Sequence, residues 1–244
     1  MSEAGKNRVL VVGGTRGTGL LIVRLLHERG YKVRVLARDP ARASAELGSA
    51  FEVVAGDLTK ADTLPPALRD VDHIIFTAGA PSGRYAPESL VKATDYEGVI
   101  DTLAAGQSAG FRGRFVYLNT LGINTPSLAG FLINLLKRNA LVWRRRVEDR
   151  IRSSGLDYTI IRVGFLLNRP GDKHAVNVSQ GALPLAFRNR IARADVAEAF
   201  VAAMRHPSAS RATFEIVWGK GSRRESWSSL LGKLKPDQPR PGIQ

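Results

Sequence analysis

The feature that most constrains this chain is a glycine-rich turn, residues 13–19, which lies between an apolar run and a helical repeat. Residues 9–12 read Val-Leu-Val-Val, which is typical of a short strand buried on both faces. The apolar residues of 20–26 recur at helical spacing, and Gly30 is placed to end that helix. A strand, a glycine turn and a helix in this order predict a unit whose helix N-terminus faces an anion.

The glycines of the turn follow the spacing G-x-x-x-G-x-G. Gly13 permits the tight turn, Gly17 allows backbone N–H groups to approach a pyrophosphate, and Gly19 lets the helix pack close to the strand. The alternative is an ordinary strand–turn–helix in which the glycines serve geometry alone. We favour a dinucleotide site, and its other predicted residues in the turn are Thr15, Arg16 and Thr18.

The rest of the chain alternates strands and helices, which predicts the α/β class with a doubly wound parallel sheet, an NAD(P)-binding Rossmann fold. Predicted strands cover residues 31–38, 51–55, 72–77, 114–119, 158–163 and 212–218, and predicted helices cover 89–110, 128–153 and 193–205. The dinucleotide-binding core is placed in residues 1–164. Residues 165–218 are predicted to form a small C-terminal substrate lobe that closes the cleft, and residues 219–244 a basic, loose tail.

The composition excludes several classes of protein. With 244 residues, 44% of them hydrophobic, the chain is long enough for one well-packed domain. It has no cysteine, so disulfides, thiolate metal sites and a cysteine nucleophile are excluded. Its four histidines show no metal-ligand spacing, and we predict no metal site. With no signal-peptide core and no apolar run of membrane length, a soluble, cytoplasmic protein is expected.

The formal net charge of +14 attracts anions to the protein. One interpretation is a polyanionic partner. The other, which we favour, is solvated arginine with part of the excess facing a phosphate-rich ligand, because no aromatic residues interleave with the cations. We therefore predict a small-molecule substrate, no specific nucleic acid and no membrane insertion, with a monomer or a homodimer as the possible assembly.

The glycine turn resembles that of the short-chain dehydrogenase/reductase superfamily, whose usual form T-G-x-x-x-G-x-G has Thr where this chain has Val12. Later segments are similar to the atypical, NAD(P)H-binding (NmrA-like) branch of that superfamily. These segments are Asp95-Tyr96-x-Gly98, Glu148 with the run at 154–159, and the stretch at 191–197. The resemblance covers nearly the whole chain, to about Gly219.

The end of the second predicted strand distinguishes the two nicotinamide cofactors. Ala37 stands where an acidic residue would hold the ribose 2′-hydroxyl of NAD, and Arg38 follows it. Arg38 can bind a 2′-phosphate, and Arg16 stands where NADP-preferring members of the superfamily often carry arginine. We predict NADP(H) as the cofactor; the alternative is that both arginines are solvated surface side chains. Arg34, which alternates with buried positions, is expected to be exposed.

The resemblance implies further cofactor contacts at the carboxyl ends of the strands. The residues are Asp57, Leu58, Thr77, Ala78, Gly79, Val163 and Gly164. The first two would contact the adenine, the next three would lie beside the adenine ribose, and the last two would lie along the nicotinamide amide. For Asp57, a plain turn or a helix cap is an equally simple interpretation.

The catalytic residues of the superfamily are only partly kept. Its members end the fifth strand with a Ser or Thr that bonds the substrate carbonyl; Asn119 and Thr120 occupy that place, although both also suit a capped strand end. The Tyr that donates a proton and the Lys four residues later correspond to Ala140 and Arg144. Alanine cannot transfer a proton, whereas Arg144 keeps a cation near the ribose and the pyrophosphate.

Phe165 and Leu167 are predicted to line an apolar substrate pocket, with ordinary packing as the alternative. The first function hypothesis is an NADPH-dependent oxidoreductase that transfers hydride to a small conjugated or carbonyl acceptor, of quinone, flavin or ketone type, with water as the proton source. Asn119 and Thr120 would orient the acceptor and Arg144 the ribose. The second hypothesis is a non-catalytic NAD(P)H-binding sensor, or an assembly or regulatory protein. A third, an isomerase or epimerase, would also need the missing proton donor.

Overall fold

A mostly parallel sheet of eight strands forms the centre of the chain. The computed structural model describes residues 7–80, 86–136 and 138–238, and its strands are β1 (Arg8–Val12), β2 (Lys32–Ala37), β3 (Glu52–Ala55), β4 (His73–Phe76), β5 (Arg114–Thr120), β6 (Asp157–Val163), β7 (Phe165–Leu167), β8 (Val176–Ser179), β9 (Arg190–Ala192) and β10 (Ala212–Trp218). The main sheet has the order β3-β2-β1-β4-β5-β6-β10-β8, and β8 runs antiparallel to β10. Strands β7 and β9 form a second, parallel pair. The strand order reverses beside β1, as in doubly wound folds, so the predicted fold class is confirmed.

Helices follow most of these strands. They are α1 (Gly17–Glu28), α2 (Pro40–Leu47), α3 (Pro65–Leu68), α4 (Glu88–Lys92), α5 (Gly98–Ser108), α6 (Leu128–Leu136), α7 (Ala140–Ser153), α8 (Arg193–Arg205) and α9 (Trp227–Leu231). The long helix predicted for residues 89–110 is confirmed as a continuous helical run from Glu88 to Ser108, in which the π-helical turn Ala93–Glu97 joins α4 to α5. The helix predicted for residues 128–153 is interrupted at Arg138 and Asn139, whose φ angles are +48° and +62°.

Adjacent residues of β1 face two separate apolar cores. Val9 and Val11 face the layer that contains α1 and α8, while Leu10 and Val12 face α3, α5 and α7. All four side chains are at most 1% exposed. Burial on both faces explains why the run of residues 9–12 is apolar without interruption, and each such side chain stabilises the strand by about 1.5–3 kcal/mol. The glycine turn therefore starts from a strand that is buried on both faces.

The prediction that Arg34 is exposed is wrong. This β2 side chain is buried, and its guanidinium donates hydrogen bonds to the carbonyl oxygens of Ala67 (3.0 Å) and Arg69 (2.6 Å). It also forms an ion pair with Glu52 at 2.8 Å. The carbonyl groups at the end of α3 carry partial negative charge, so a cation that crosses beneath this helix end is satisfied there.

The prediction of a loose tail is wrong for the part of the tail that the structure describes, residues 219–238. Trp227, Leu230 and Leu231 of α9 are buried and join the apolar core that includes α8. Asp237 then accepts hydrogen bonds from the Thr213 hydroxyl (2.6 Å) and from the Tyr158 hydroxyl (3.0 Å). Residues 239–244 lie outside the described residues. The many basic residues of this segment obscured the short apolar pattern of α9 in the sequence. Burial of the apolar side chains of α9 is enough to anchor the segment.

The segment predicted as a substrate lobe divides into two parts. Residues 165–192 carry β7 and β9 and contribute Phe165 and Leu185 to the pocket at the carboxyl ends of β5 and β6. Helix α8 and strand β10 return to the main sheet, where β10 pairs with β6. In residues 7–80, 86–136 and 138–238, no helix has the length and apolarity needed to cross a membrane.

Candidate functional site

The glycine turn after β1 touches the turn after β4. Gly13 has a φ of +88°, and a Cβ atom on it would lie 2.6 Å from the backbone nitrogen of Ala78. A Cβ atom on Gly19 would overlap the carbonyl oxygen of Gly13 and would lie 2.6 Å from the Thr77 hydroxyl oxygen. Both glycines are therefore required by close backbone approach, which is the steric role that the sequence predicts for them.

An unpaired hydroxyl group lies at the start of α1. Thr18 is 5% exposed, and its Oγ1 has no hydrogen-bond partner in the described part of the chain. No side chain caps this end of the helix, so the first N–H groups of α1 also lack an intrahelical partner. Unpaired N–H groups and a buried hydroxyl fit the oxygen atoms of a phosphate group, so the residues present fit a dinucleotide here.

The end of β2 and the turn after β3 form the edge predicted to hold the adenine and its ribose. Arg38 is exposed there, as is Arg16 in the glycine turn, and Ala37 contributes no carboxylate. Asp57 accepts hydrogen bonds from the backbone N–H (3.0 Å) and the hydroxyl (2.9 Å) of Thr59. Burial alone would raise the pKa of Asp57, but these bonds and the charge of Arg38 outweigh it and lower that pKa. Asp57 thus closes a turn, and the neighbouring Leu58 packs against Gly98.

A pocket of about 330 Å³ opens at the carboxyl ends of β5 and β6. Helices α6 and α7 form its other side. Its lining includes the predicted residues Asn119, Thr120, Ala140, Arg144, Val163, Gly164 and Phe165. Leu167 is not part of the lining, which corrects that prediction: it lies two residues further along β7, about 6–7 Å beyond Phe165. The neighbouring Leu166 lines the pocket instead.

A buried ion pair, which sequence reasoning missed, holds Arg144 in the pocket. Asp95 comes from the π-helical turn, is 3% exposed, and accepts a hydrogen bond from Arg144 Nη2 at 3.0 Å. Burial would lower the pKa of Arg144, but the negative charge of Asp95 outweighs it and raises that pKa, so this guanidinium stays charged. Gly79 lies against the pair, because a Cβ atom there would be 2.6 Å from Arg144 Nη2. The π-helical turn is wider than an α-helical turn, and this accounts for the inward position of the acidic Asp95 within a helix.

The prediction that Asn119 donates a hydrogen bond to the acceptor does not fit the structure. Its side-chain amide already donates to Glu148 Oε1 (2.8 Å) and to the carbonyl oxygen of Arg144 (3.3 Å). Its Oδ1 accepts from the N–H of Thr120 at 2.9 Å. Asn119 is 1% exposed, so it supports the floor of the pocket and has no free donor.

Glu148, part of the sequence resemblance, is the centre of a buried network. Its two carboxylate oxygens accept hydrogen bonds from Arg162 at 2.8 and 2.7 Å, and Oε2 also accepts one from Arg152 at 2.8 Å. Arg152 extends the network to Asp237, with its Nε 3.1 Å from Oδ2. The ion pairs with two arginines account for a buried glutamate on α7 at a position that does not line the pocket.

Two further pocket residues bear on the chemistry. Thr120 lines the pocket and is partly exposed, so its hydroxyl can reach a bound molecule. Ala140 lines the pocket at the position of the superfamily's proton-donating Tyr, so the side chain there cannot donate a proton. The pocket therefore offers the Thr120 hydroxyl as a hydrogen-bond donor to a bound substrate. It has an alanine, Ala140, where the resemblance leads us to expect a side chain that donates a proton.

Arg193, the first residue of α8, is a further cation that sequence reasoning missed. It lines the pocket, and its Nη1 donates a hydrogen bond to the carbonyl oxygen of Leu166 at 2.9 Å. Its Nε lies 3.7 Å from the position that a Cβ atom on Gly17 would take. Arg193 therefore joins the glycine turn to the pocket. The only sequence signal was a cation at the start of a predicted helix.

Together, the strand order, the two touching turns and the unpaired groups at the start of α1 define a dinucleotide-binding Rossmann protein. Among the described residues, no group of three or more metal-ligating side chains lies together. A family model described as NAD(P)H-binding matches residues 13–207. The chain belongs to this NAD(P)H-binding family, and the resemblance to the atypical short-chain dehydrogenase/reductases is confirmed.

Relatives of the chain include both an enzyme and an assembly factor. Sanguinarine reductase of Eschscholzia californica is 28% identical, in an alignment that covers 96% of this chain and 98% of that protein. Photosystem II assembly factor Ycf39 of Synechocystis is 29% identical over 87% of this chain, which spans 64% of that protein. A structure from Bacillus halodurans, provisionally named an NAD-dependent epimerase/dehydratase, superposes with a TM-score of 0.77 at 25% identity, over 93% of this chain and all of that one.

Proposed function

We propose that the chain is an NADPH-dependent oxidoreductase that reduces a small conjugated or carbonyl acceptor of quinone, flavin or ketone type. The observation that carries the proposal is the position of the 330 Å³ pocket, which opens at the carboxyl ends of β5 and β6 and is joined to the glycine turn by Arg193. Ligands of doubly wound folds bind at this edge of the sheet. The size of the pocket and its mixture of apolar and polar lining residues suit a small acceptor that carries a polar group.

Two pocket residues, Thr120 and Arg144, have proposed tasks in such a reduction. Bound NADPH would supply a hydride from its nicotinamide ring. Thr120 would donate a hydrogen bond to the acceptor oxygen on which negative charge develops. Arg144, held by Asp95, would place a fixed positive charge beside the nicotinamide ribose. Because Ala140 has no proton to give, water would supply the proton that completes the reduction.

The preference for NADP(H) over NAD(H) is part of the proposal. Arg38 and Arg16 are exposed and Ala37 offers no carboxylate to the ribose 2′-hydroxyl. Two cations without an acidic residue favour the 2′-phosphate of NADP. The naming of sanguinarine reductase as a reductase adds support for reduction as the type of reaction.

The test is a titration of the protein with NADPH followed by a panel of quinones, flavins and conjugated ketones, with oxidation of the nicotinamide measured by absorbance. We expect turnover with at least one acceptor. The Thr120→Val variant should lower kcat about 100-fold, because one donor to the developing charge is lost, with little change in the Kd for NADPH. Thr120→Ser, which keeps the hydroxyl, is the matched control and should retain most of the activity. An equal loss in both variants would contradict the role of Thr120.

A second candidate is an NAD(P)H-binding protein with an assembly or regulatory role and no turnover. The alanine at position 140 favours it, and Ycf39 is named as an assembly factor. Tight NADPH binding with no oxidation by any member of the panel would support this candidate against the reductase. Absence of NADPH binding would contradict both.

A further inference from the structure

Helix α6 presents an apolar face to solvent. Its outward side chains are large and mostly exposed: Leu128 is 76% exposed, Phe131 66%, Leu135 65%, Leu136 60% and Leu132 47%. We call these five side chains the α6 face. Single exposed leucines are common in globular proteins, but five large apolar side chains on nine residues of one helix form a contiguous patch of the kind that marks an interaction surface.

The polar side chain of α6 points away from this face. Asn134 Oδ1 accepts a hydrogen bond from the backbone N–H of Leu141 at 3.0 Å, and its amide donates to Asn139 at 3.2 Å. The inner side of the helix is formed by Gly130, which is buried, and by Ile133, which lines the pocket. The helix thus has the reverse of the usual arrangement, with its amide turned inward and its apolar side chains in water.

Exposed arginines lie on the turn and the helix that follow α6. Arg138 lies in the turn that joins α6 to α7, and Arg145 and Arg146 are exposed on α7, which packs against α6. A second exposed ring adjoins the same pocket: Phe187 is 66% exposed and packs against Phe165 in a tilted arrangement with 5.4 Å between ring centroids, and the guanidinium of Arg190 lies 5.8 Å from the Phe187 centroid.

The acidic side chain of Glu88 contacts the turn between α6 and α7. Glu88 accepts hydrogen bonds at 3.2 Å from the Asn139 amide and from the Trp143 indole. These donors are neutral, so Glu88 keeps its charge, but the exposed Arg138, Arg145 and Arg146 outnumber it, and these described residues beside the α6 face are net cationic.

The charge decides which partner suits this face. A second copy of the chain would pair through a two-fold axis and would place these arginines against their own copies, which is unfavourable. An anionic lipid surface complements them, because phosphate headgroups bind arginine while the acyl region accepts apolar side chains. The net charge of +14 acts in the same direction over longer distances.

We propose that the α6 face docks onto an anionic lipid bilayer, with Phe187 as a second contact and the arginines at the headgroups. Docking requires no helix that crosses the membrane. Because Ile133 and Leu136 of α6 and Phe165 under Phe187 all line the pocket, the bound orientation brings the pocket mouth to the bilayer surface. The proposal is independent of the proposed function, since it concerns binding without turnover.

The test is flotation of the full chain with phosphatidylcholine vesicles, with and without about 30% phosphatidylglycerol. We expect binding to the anionic vesicles, at least tenfold weaker binding to the neutral ones, and release at high salt. Phe131→Ser with Leu135→Ser should reduce the binding at least tenfold, while far-UV circular dichroism and the Kd for NADPH stay unchanged, because both side chains are exposed.

Charge is tested with matched pairs of variants. Arg145→Gln with Arg146→Gln should weaken binding to anionic vesicles severalfold more than Arg24→Gln with Arg223→Gln, which removes the same charge from exposed positions elsewhere. Equal effects of the two pairs would contradict docking through this face. Absence of vesicle binding, or a concentration-dependent dimer in light scattering that the serine variant abolishes, would overturn the bilayer as the partner.

Discussion

The buried hydroxyl of Thr18 has no hydrogen-bond partner within the described part of the chain, so its effects on folding and on ligand binding should have opposite signs. In the absence of ligand, an unsatisfied buried hydroxyl destabilises the protein. With a phosphate oxygen beside it, the same group gains a charge-assisted hydrogen bond. We therefore expect Thr18→Val to leave the free energy of unfolding unchanged or slightly raised, and to weaken NADPH binding about tenfold or more.

The measurements for Thr18 are urea unfolding without ligand and fluorescence titration with NADPH. Thr18→Ser keeps the hydroxyl and should bind NADPH nearly as well as the natural chain. If the valine variant bound NADPH with unchanged affinity, the hydroxyl would not face the phosphates.

Arg16 and Arg38 together test the choice of cofactor. Replacing both by alanine should reduce the preference for NADPH over NADH by roughly 2–4 kcal/mol, the contribution of two charge-assisted hydrogen bonds. The measurement is the ratio of the two dissociation constants at one salt concentration. The NADH affinity serves as the internal control and should change little. An unchanged ratio would contradict the NADP assignment.

The role of a residue could be predicted where local steric constraints determine it. It could not be predicted where the role depends on a partner far away in the sequence. Gly13 and Gly19 are needed because backbone atoms of neighbouring turns approach them, and their spacing in the sequence already implies this. Asn119 was predicted as a donor because its position in the family fits, but its amide is occupied by Glu148, 29 residues later in the chain. Arg34 was wrongly predicted to be exposed for a similar reason, because its hydrogen-bond acceptors are carbonyl groups at the end of α3.

At the scale of elements, the carboxylate of Asp237 links the segment after α9 to α7, β6 and β10. Asp237 accepts four hydrogen bonds, from Arg152, Tyr158 and both the backbone N–H and the hydroxyl of Thr213. We expect Asp237→Ala to lower the free energy of unfolding by about 3 kcal/mol, because it leaves Arg152 partly unpaired in a buried network. Asp237→Asn keeps hydrogen-bonding capacity and should cost about half as much. The comparison is made by urea unfolding, and a loss below about 0.5 kcal/mol in the alanine variant would show that the tail is not anchored there.

Elements with a regular apolar periodicity could be predicted from the sequence, and elements without it could not. The predicted bounds of residues 193–205 and 212–218 agree with α8 and β10, because an apolar face repeats through each of them. Helix α9 is only five residues long, too short for a periodic signal in a segment rich in Ser, Lys and Arg. The π-helical turn has no periodic signature, so the inward position of Asp95 could not be predicted.

At the scale of the whole molecule, binding at the glycine turn should stabilise the chain as a unit, because α1 joins β1 to the core that contains α8 and α9. NADPH at about 100 times its Kd contributes about 2.7 kcal/mol to the free energy of unfolding. For a chain of this length that corresponds to a rise in Tm of about 5–10 °C. Differential scanning fluorimetry with and without NADPH measures it, and Thr18→Val should show a smaller rise. An unchanged Tm at saturating NADPH would contradict a site on the folded chain.

The network that ends at Asp237 has a consequence for the order in which the protein matures. Contacts run from Asp237 through Arg152 and Glu148 to Asn119, which holds the floor of the pocket. During synthesis the glycine turn leaves the ribosome more than 200 residues before Asp237. We therefore expect a nascent chain to acquire its nucleotide cradle well before its pocket. A chain released before Asp237 would capture the dinucleotide while its acceptor site was still unformed.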